Sequence, residues 1–400
     1  MKSINANSSG STGRRVLFVI GSLDVGGAEK HVASLSIELK KRGWQPEILV
    51  LFPGGPLTSI LAENGVVIHS VAASNWLMRG VSSKRLRSSI DLILSAISLF
   101  GGLWRRPPDV IHFFLPASYI IGGMISLASP VKTRIMSRRS LNNYQSKHAR
   151  LAQVEHWLHP KMTRILANSR AVWNDLVAEG VDPEKLRLIY NGIDTDRFAA
   201  QGDKHALREV LGLGDDDLVL VMVANLIAYK GHRDLIEALA SIKDRLPLGW
   251  VLLTVGRDDG IGPDLQELTQ KHGMDANIRF LGPRSDVPDL LKVADIGLLT
   301  SHEEGFSNAV LEAMASGLPM VVTEVGGNGE AVLDGKTGFV VPARDPAQLA
   351  SALLRLVQDG NRVEMGRRGQ QRVRDVFSLH ACVDEYERTY EDALAHRCGT

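Results

Sequence analysis

The sequence predicts an α/β protein of two doubly wound, Rossmann-like domains, each a parallel sheet covered by helices, facing each other across a cleft. Three observations carry this. Short β-branched runs alternate with helical patterns along the whole chain, as in βαβ units. Two such arrays follow one another, with a turn and a charged stretch between them near residues 192–205. The charge also divides: residues 1–196 hold 24 Lys and Arg against 14 Asp and Glu, whereas residues 197–400 hold 22 against 31. Two domains meeting different partners would carry such a split.

The elements follow in order. Strands are expected at 15–21 (RVLFVIG), 46–52, 66–71, 109–114 (DVIHFF), 133–137, 164–167 and 187–190, then at 217–224, 250–255, 278–281, 295–300, 319–323 and 338–341. Helices are expected between them, among them 28–42, 231–245, 286–293 and 346–358, with one amphipathic helix over 376–395. The domains are read as a disordered tail at 1–13, a first domain at 14–195 and a second at 196–375, with the last helix packing back on the first. Ligand crevices of doubly wound sheets lie at the carboxyl ends of their strands. The expected site is therefore the cleft where the two sets of ends meet.

The bulk composition narrows the class. An apolar fraction of 44% with 23% charged residues suits a soluble globular protein. The cysteines, Cys382 and Cys398, have no metal-like spacing and form no disulfide framework, so a reducing compartment is expected. The first thirteen residues lack an apolar core and do not read as a signal peptide. DLILSAISLFGGLW at 91–104 is apolar between basic flanks but too short to span a bilayer, which takes roughly 20 apolar residues. It is read as a helix packed on the first sheet, with an interfacial helix as the other option. A cytoplasmic protein is expected, with peripheral attachment at the inner face of the cell membrane as an option. Anionic lipid would then meet the basic first half. No nucleic-acid partner is expected.

Residues 296–342 carry the chemistry. A buried strand runs into HEEGFSNAVLEAMASG, where Glu304 and Glu312 stand eight positions apart. A helix opening near Ser307 or Asn308 offers backbone N–H groups and a positive dipole end to an anion. Asn308, Glu312 and Ser316 recur at helical spacing and share a polar face. A second glycine turn, Gly326-Gly327, follows the next strand. Together these suit a phosphorylated, hydroxyl-rich ligand. Lys230, ahead of Gly231 at another strand end, can meet a diphosphate as a mobile charge. Gly26-Gly27 open the first helix, where backbone can approach a ligand closely.

These segments resemble the retaining glycosyltransferases of family 4, whose fold is GT-B. The matching pieces are LDVGGAEKHV (23–32), DVIH (109–112), ANS (167–169), IYNGID (189–194), KGH (230–232), FLGPRSDVPDLL (280–291), EEGFSNAVLEAMASGLPMVV (303–322) and GGNGEAVLDGKTGFVVP (326–342). The resemblance implies transfer of a sugar from a nucleoside-diphosphate sugar to a glycan or lipid-linked saccharide, in envelope or exopolysaccharide synthesis. Position by position it implies that Glu304 holds the sugar hydroxyls and Glu312 the ribose. Lys230 would bind the diphosphate with the N–H groups of Gly305, Phe306, Ser307 and Asn308. Arg284 would lie by the nucleobase, and Gly27 would face the diphosphate from the other domain. Gly26, His112 and Arg138 are the acceptor-side candidates. No cofactor is expected beyond the sugar nucleotide as co-substrate, and no metal.

Three positions depart from the family pattern. Asn225 stands where an arginine is common, Phe114 where a second histidine is common, and Asn328-Gly329 where an apolar residue and proline are common. The first removes a diphosphate charge, and the second puts a histidine contact to the sugar in doubt. His112 itself reads equally as a packed core residue. A catalytically impaired sugar-nucleotide-binding subunit, or a GT-B nucleotide-sugar epimerase, are the alternative functions.

Overall fold

The computed structural model describes residues 13–70, 84–142, 144, 145, 148–198, 203–358 and 360–395. Most of the expected tail, and Cys398, lie outside them. The first sheet holds β1 (Arg15–Ile20), β2 (Gln45–Val50), β3 (Val67–Ser70), β4 (Val110–Phe114), β5 (Thr133–Arg138), β6 (Arg164–Ala167) and β7 (Leu186–Leu188). The second holds β8 (Val219–Val223), β9 (Val251–Val255), β10 (Ile278–Phe280), β11 (Ile296–Leu299), β12 (Met320–Thr323) and β13 (Gly338–Val341). Their orders are β3-β2-β1-β4-β5-β6-β7 and β10-β9-β8-β11-β12-β13. Every strand pair is parallel.

The central strands are apolar almost throughout because helices cover both faces. Alternation still assigns each side chain to a side. Val16, Phe18, Ile20 and Phe114 join one core with the helix Gly27–Lys41, whereas Leu17, Val19, Ile111 and Phe113 join the other with Leu99, Leu103 and Tyr119. The strand order reverses its sense between β1 and β4 in the first sheet and between β8 and β11 in the second. Those are the switch points where doubly wound sheets open a crevice.

The chain returns at its end. The expected helix over 376–395 is Leu379–Ala395, starting three residues later than read, with a break between it and the preceding helix Arg362–Val376. The break is a bridge to the interdomain segment, Ile193 N–H to Phe377 O at 3.0 Å and Leu379 N–H to Ile193 O at 2.8 Å. Phe377 is fully buried there. The last helix then lies on the first sheet, with Cys382, Val383, Tyr386 and Tyr390 in the core of Phe18 and Phe114.

This return decides His112. It is fully buried in β4, bonded through Nδ1 to the Tyr390 hydroxyl at 2.7 Å and through Nε2 to Ser137 Oγ at 2.8 Å. Burial, then the nearby Arg139 charge, holds its pKa well below the usual histidine value. Both nitrogens are used inside the protein, so His112 offers nothing to an acceptor here.

Arg138 is likewise internal. Its guanidinium meets Glu179 at 2.7 Å and Glu155 at 2.8 Å, all three side chains being almost fully enclosed. Tyr144 donates to Glu155, and His159 reaches Glu179 at 3.1 Å. Burial works to raise the Glu179 carboxyl, but hydrogen bonds from His159 and Arg138 and the arginine charge hold it at about 2. His156, His159 and Glu179 are spaced as metal ligands could be. However, both Glu179 oxygens already accept from Arg138, whose charge would repel a cation. Removing one partner of a buried ion pair leaves an uncompensated charge, costing about 3–5 kcal/mol. Arg138→Met should lose stability on that scale in urea denaturation, because two carboxylates remain; a loss below about 1 kcal/mol would show the network to be incidental.

Candidate functional site

At the second switch point two loops meet. One leaves β8, passes Asn225, makes a 3-10 turn at Ala228–Lys230 and enters the helix His232–Ile242 through Gly231. The other leaves β11 and runs from Thr300 to Ser307, the cap of the helix Asn308–Ala315. Gly231 sits at φ 73°, and a Cβ there would lie 1.9 Å from Thr300 O. Only glycine permits both the backbone turn and the contact. Thr300 Oγ1 donates back to Gly231 O at 2.9 Å, so the loops are stitched at their roots.

Their tips carry opposite charges. Lys230 Nζ lies 2.6 Å from Glu304 Oε1, and Ser301 Oγ donates to the same oxygen at 2.7 Å. Both members of the pair are largely enclosed. Beside them, the N-terminus of Asn308–Ala315 receives no side-chain cap from Ser307. Its first backbone N–H groups and the positive dipole end are therefore free of a side-chain cap.

The second glycine turn shapes this loop from beneath. Gly326 sits at φ 52°, and a Cβ on it would lie 1.9 Å from Glu304 O. Gly327 donates its N–H to Gly305 O at 2.8 Å. A side chain on Gly326 would push the Glu304 backbone aside, and one on Gly327 would collide with the Phe306 ring. Asn328, at the third departure from the family pattern, is buried, and its amide donates to Thr323 O at 3.1 Å.

The first domain closes over the site. A Cβ on Gly27 would sit 4.0 Å from Asn308 Nδ2, so that glycine faces the uncapped helix across the cleft. Gly26 caps the helix Gly27–Lys41 in an extended conformation. Glu312, one turn beyond Asn308, is partly buried. Burial raises its pKa, while Lys30 and Arg197 pull it down.

The structure thus pairs Lys230 with Glu304, carries Gly305, Ser307 and Asn308 on the stretch that follows Glu304, and sets Gly27 opposite Asn308, with Glu312 one turn farther along the helix. Phe306 is different: its ring is buried against Tyr190 and Phe377, with centroids 5.2 and 5.4 Å away. Asn225 turns its Oδ1 to the Arg257 N–H at 3.1 Å and braces the neighbouring loop. Arg284 pairs with Asp286, Nε to Oδ1 at 2.7 Å, on the rim. His112 and Arg138 stay in the first-domain interior.

Three residues to which sequence reading gave no role stand at or beside this site. Asn191, from the NGID turn, is buried between the domains. Its amide donates to Phe306 O at 3.0 Å and to Asn308 Oδ1 at 2.7 Å, and accepts from Arg139 at 2.6 Å. Glu330, from GGNGE, accepts from the Arg170 N–H at 2.7 Å and from Tyr190 at 2.8 Å. His232, next to Lys230–Gly231, is buried with no partner on either ring nitrogen, and burial and then Lys230 lower its pKa to about 4. The recurrence of ANS and NGID in the family pattern was the one available sign of Asn191.

Comparison with known proteins fits this geometry. A sequence profile of glycosyltransferase family 4 matches residues 25–197, and one of the group 1 glycosyl transferases matches residues 217–359. D-inositol 3-phosphate glycosyltransferase of Corynebacterium diphtheriae is 26% identical over 93% of this chain and 91% of its own length. UDP-Gal:alpha-D-GlcNAc-diphosphoundecaprenol alpha-1,3-galactosyltransferase of Escherichia coli is 26% identical over 87% of this chain and 89% of its own. The crystal structure of Anabaena HepE in complex with UDP superposes with a TM-score of 0.81 at 20% identity, covering 94% of this chain and all of that one.

Asn191 generates a prediction. Asn191→Ala leaves Phe306 O and the Arg139 guanidinium without their partner, a loss of about 1–3 kcal/mol. Amide exchange over Gly305–Asn308 should quicken in the same variant; unchanged exchange and stability would mean that other contacts hold the loop.

Proposed function

We propose that this chain, which belongs to the family 4, group 1 glycosyltransferases and has the GT-B fold, moves a sugar from a nucleoside-diphosphate sugar to a hydroxyl of a glycan or lipid-linked saccharide. The observation that carries the substrate class is the Lys230–Glu304 pair beside the uncapped helix N-terminus. One cation, one carboxylate and several backbone donors thus stand on two loops joined at their roots. A diphosphate and a sugar need that set together. The HepE complexes with UDP and UDP-glucose favour a uridine donor.

In this reading Lys230 turns from Glu304 to the diphosphate, and the N–H groups at Gly305–Asn308 complete its cradle. Glu304, released, accepts hydrogen bonds from the sugar hydroxyls. Glu312 accepts from the ribose, Gly27 closes from the other domain, and Arg284 borders the base. The anomeric C–O bond breaks through an oxocarbenium-like state while charge grows on the departing phosphate. Lys230 and the helix dipole are already aimed at that charge, so little reorganisation is needed when it appears. Glu304 serves the hydroxyls, which leaves no carboxylate as nucleophile. The acceptor hydroxyl therefore attacks on the face the leaving group departs from, giving its proton to the phosphate oxygen. Configuration is retained. With lysine and dipole meeting the diphosphate charge, the reaction runs without a metal. The acceptor suits envelope or exopolysaccharide synthesis.

The direct test is transfer by purified variants. Lys230→Ala and Glu304→Gln should each lower kcat/KM by about a hundredfold or more while the fold, read by circular dichroism, is kept; full activity in both would end this assignment. UDP should raise the midpoint of the wild-type chain and much less that of Lys230→Ala.

Glu312 adds a pH dependence. Its raised pKa means that ionisation is penalised in the fold, so its stabilising contribution is present at low pH and fades as pH rises through the folded value. Ribose binding needs the ionised acceptor and follows the opposite course. Affinity for a UDP-sugar, titrated calorimetrically, should fall as pH drops through the region just above the ordinary carboxylate range. Glu312→Gln should flatten that slope; an unaltered slope would place its origin elsewhere.

A further inference from the structure

The helix Lys84–Arg105 carries more apolar surface than the fold uses. One face is spent on the core: Leu99 and Leu103 pack with Leu17, Val19 and Phe113, and Ser95 donates to Leu51 O at 3.1 Å. Another face is not. Ile93, Ile97, Phe100 and Trp104 recur at spacings of four, three and four, which aligns them in one row. They are between 45% and 63% exposed. The Phe100 and Trp104 rings lie 6.3 Å apart, and Trp104 Nε1 donates to Ala128 O at 3.0 Å. That bond seats the row against the helix Pro116–Leu127, where Met124 is also exposed.

The segment that carries the row is predominantly basic in sequence. Residues 84–105 contain Lys84, Arg85, Arg87 and Arg105 against Asp91 alone, and Arg106 follows. Arg105, Arg106 and, just past Ala128, Lys132 are exposed. No helix among the described residues is long and apolar enough to cross a membrane.

We propose that this face docks the protein on an anionic lipid surface, the row Ile93-Ile97-Phe100-Trp104 entering the headgroup boundary and Arg105, Arg106 and Lys132 meeting lipid phosphates. An amphipathic helix lying in the interface plane has this composition: large apolar side chains on one face, basic residues at its flank. Tryptophan, with an apolar body and a polar nitrogen, favours that depth. The basic rim also chooses between occupants. A second copy on a two-fold axis would set the same rim against itself, like charge on like. An anionic leaflet complements it, with about 1 kcal/mol for each basic residue near the surface. The docking is independent of sugar transfer, and a failure of one leaves the other standing.

The test is co-sedimentation of the full chain with phosphatidylglycerol–phosphatidylcholine vesicles and with phosphatidylcholine alone. The wild-type chain should bind the first, weakly bind the second, and release with added salt. Ile97→Ser/Phe100→Ser, at exposed positions that keep the fold, should bind about tenfold less or weaker still, with its thermal midpoint and its affinity for UDP unchanged. Arg105→Gln/Arg106→Gln should blunt the salt dependence. The proposal is overturned if wild-type chain ignores the anionic vesicles or if Ile97→Ser/Phe100→Ser binds them equally well. It is equally overturned if sedimentation reveals a dimer that the same double variant dissociates.

Discussion

The site depends on one ion pair. Lys230 and Glu304 stand 2.6 Å apart at the tips of two loops that leave β8 and β11. Taking both charges largely out of water costs several kcal/mol, which their mutual attraction offsets only in good geometry. Much of the surrounding structure serves that geometry. Gly231 locks one loop root to Thr300, Ser301 adds a second hydrogen bond to Glu304, and the Gly326-Gly327 turn supports the carboxylate from below. Each charge thereby holds the other in place until a ligand offers better partners to both. A diphosphate would take the lysine and hydroxyls would take the carboxylate, so both halves of the ligand are needed to separate the pair at low cost.

A second layer ties this loop to the other domain. Asn191 is the joint: one small amide satisfies the backbone of Phe306, the side chain of Asn308 and the guanidinium of Arg139. Glu330 makes a parallel tie to Arg170 and Tyr190. Buried polar groups of this kind are costly when left half-paired, which makes the closed arrangement specific as well as stable. Movement between the domains must therefore trade these bonds as a set.

Much of the architecture was legible in the chain. Each expected strand lies within two residues of an observed one at both ends, because buried parallel strands read as apolar runs between glycine and proline signals. The Glu304 loop was legible for a similar reason: strand, glycine turn and helix start fall in one continuous stretch. What stayed hidden depends on partners remote in sequence. His112 read equally as a ligand and as a core residue because the partner that settles it, Tyr390, lies 278 residues away on a helix that folds back. Arg138 looked like an exposed cation because Glu155 and Glu179 are brought to it only by tertiary packing. Asn191 looked like a turn residue, its hydrogen bonds to the other domain invisible to local pattern. The start of the last helix, at Leu379 rather than 376, is set by the bridge from Ile193, again a partner remote in sequence.

The returning C-terminal helix has a consequence for how this protein can be taken apart. The second domain is inserted between two pieces of the first, entered and left side by side where Ile193 bridges to Ser378. A chimaera that exchanges everything after the interdomain segment would also replace Tyr386 and Tyr390, stripping His31 and His112 of their partners and opening the core of the receiving domain. The transplantable unit is the segment between those two crossing points, with the last helix kept in its original company. Cut there, the two domains part with each retaining its own interior.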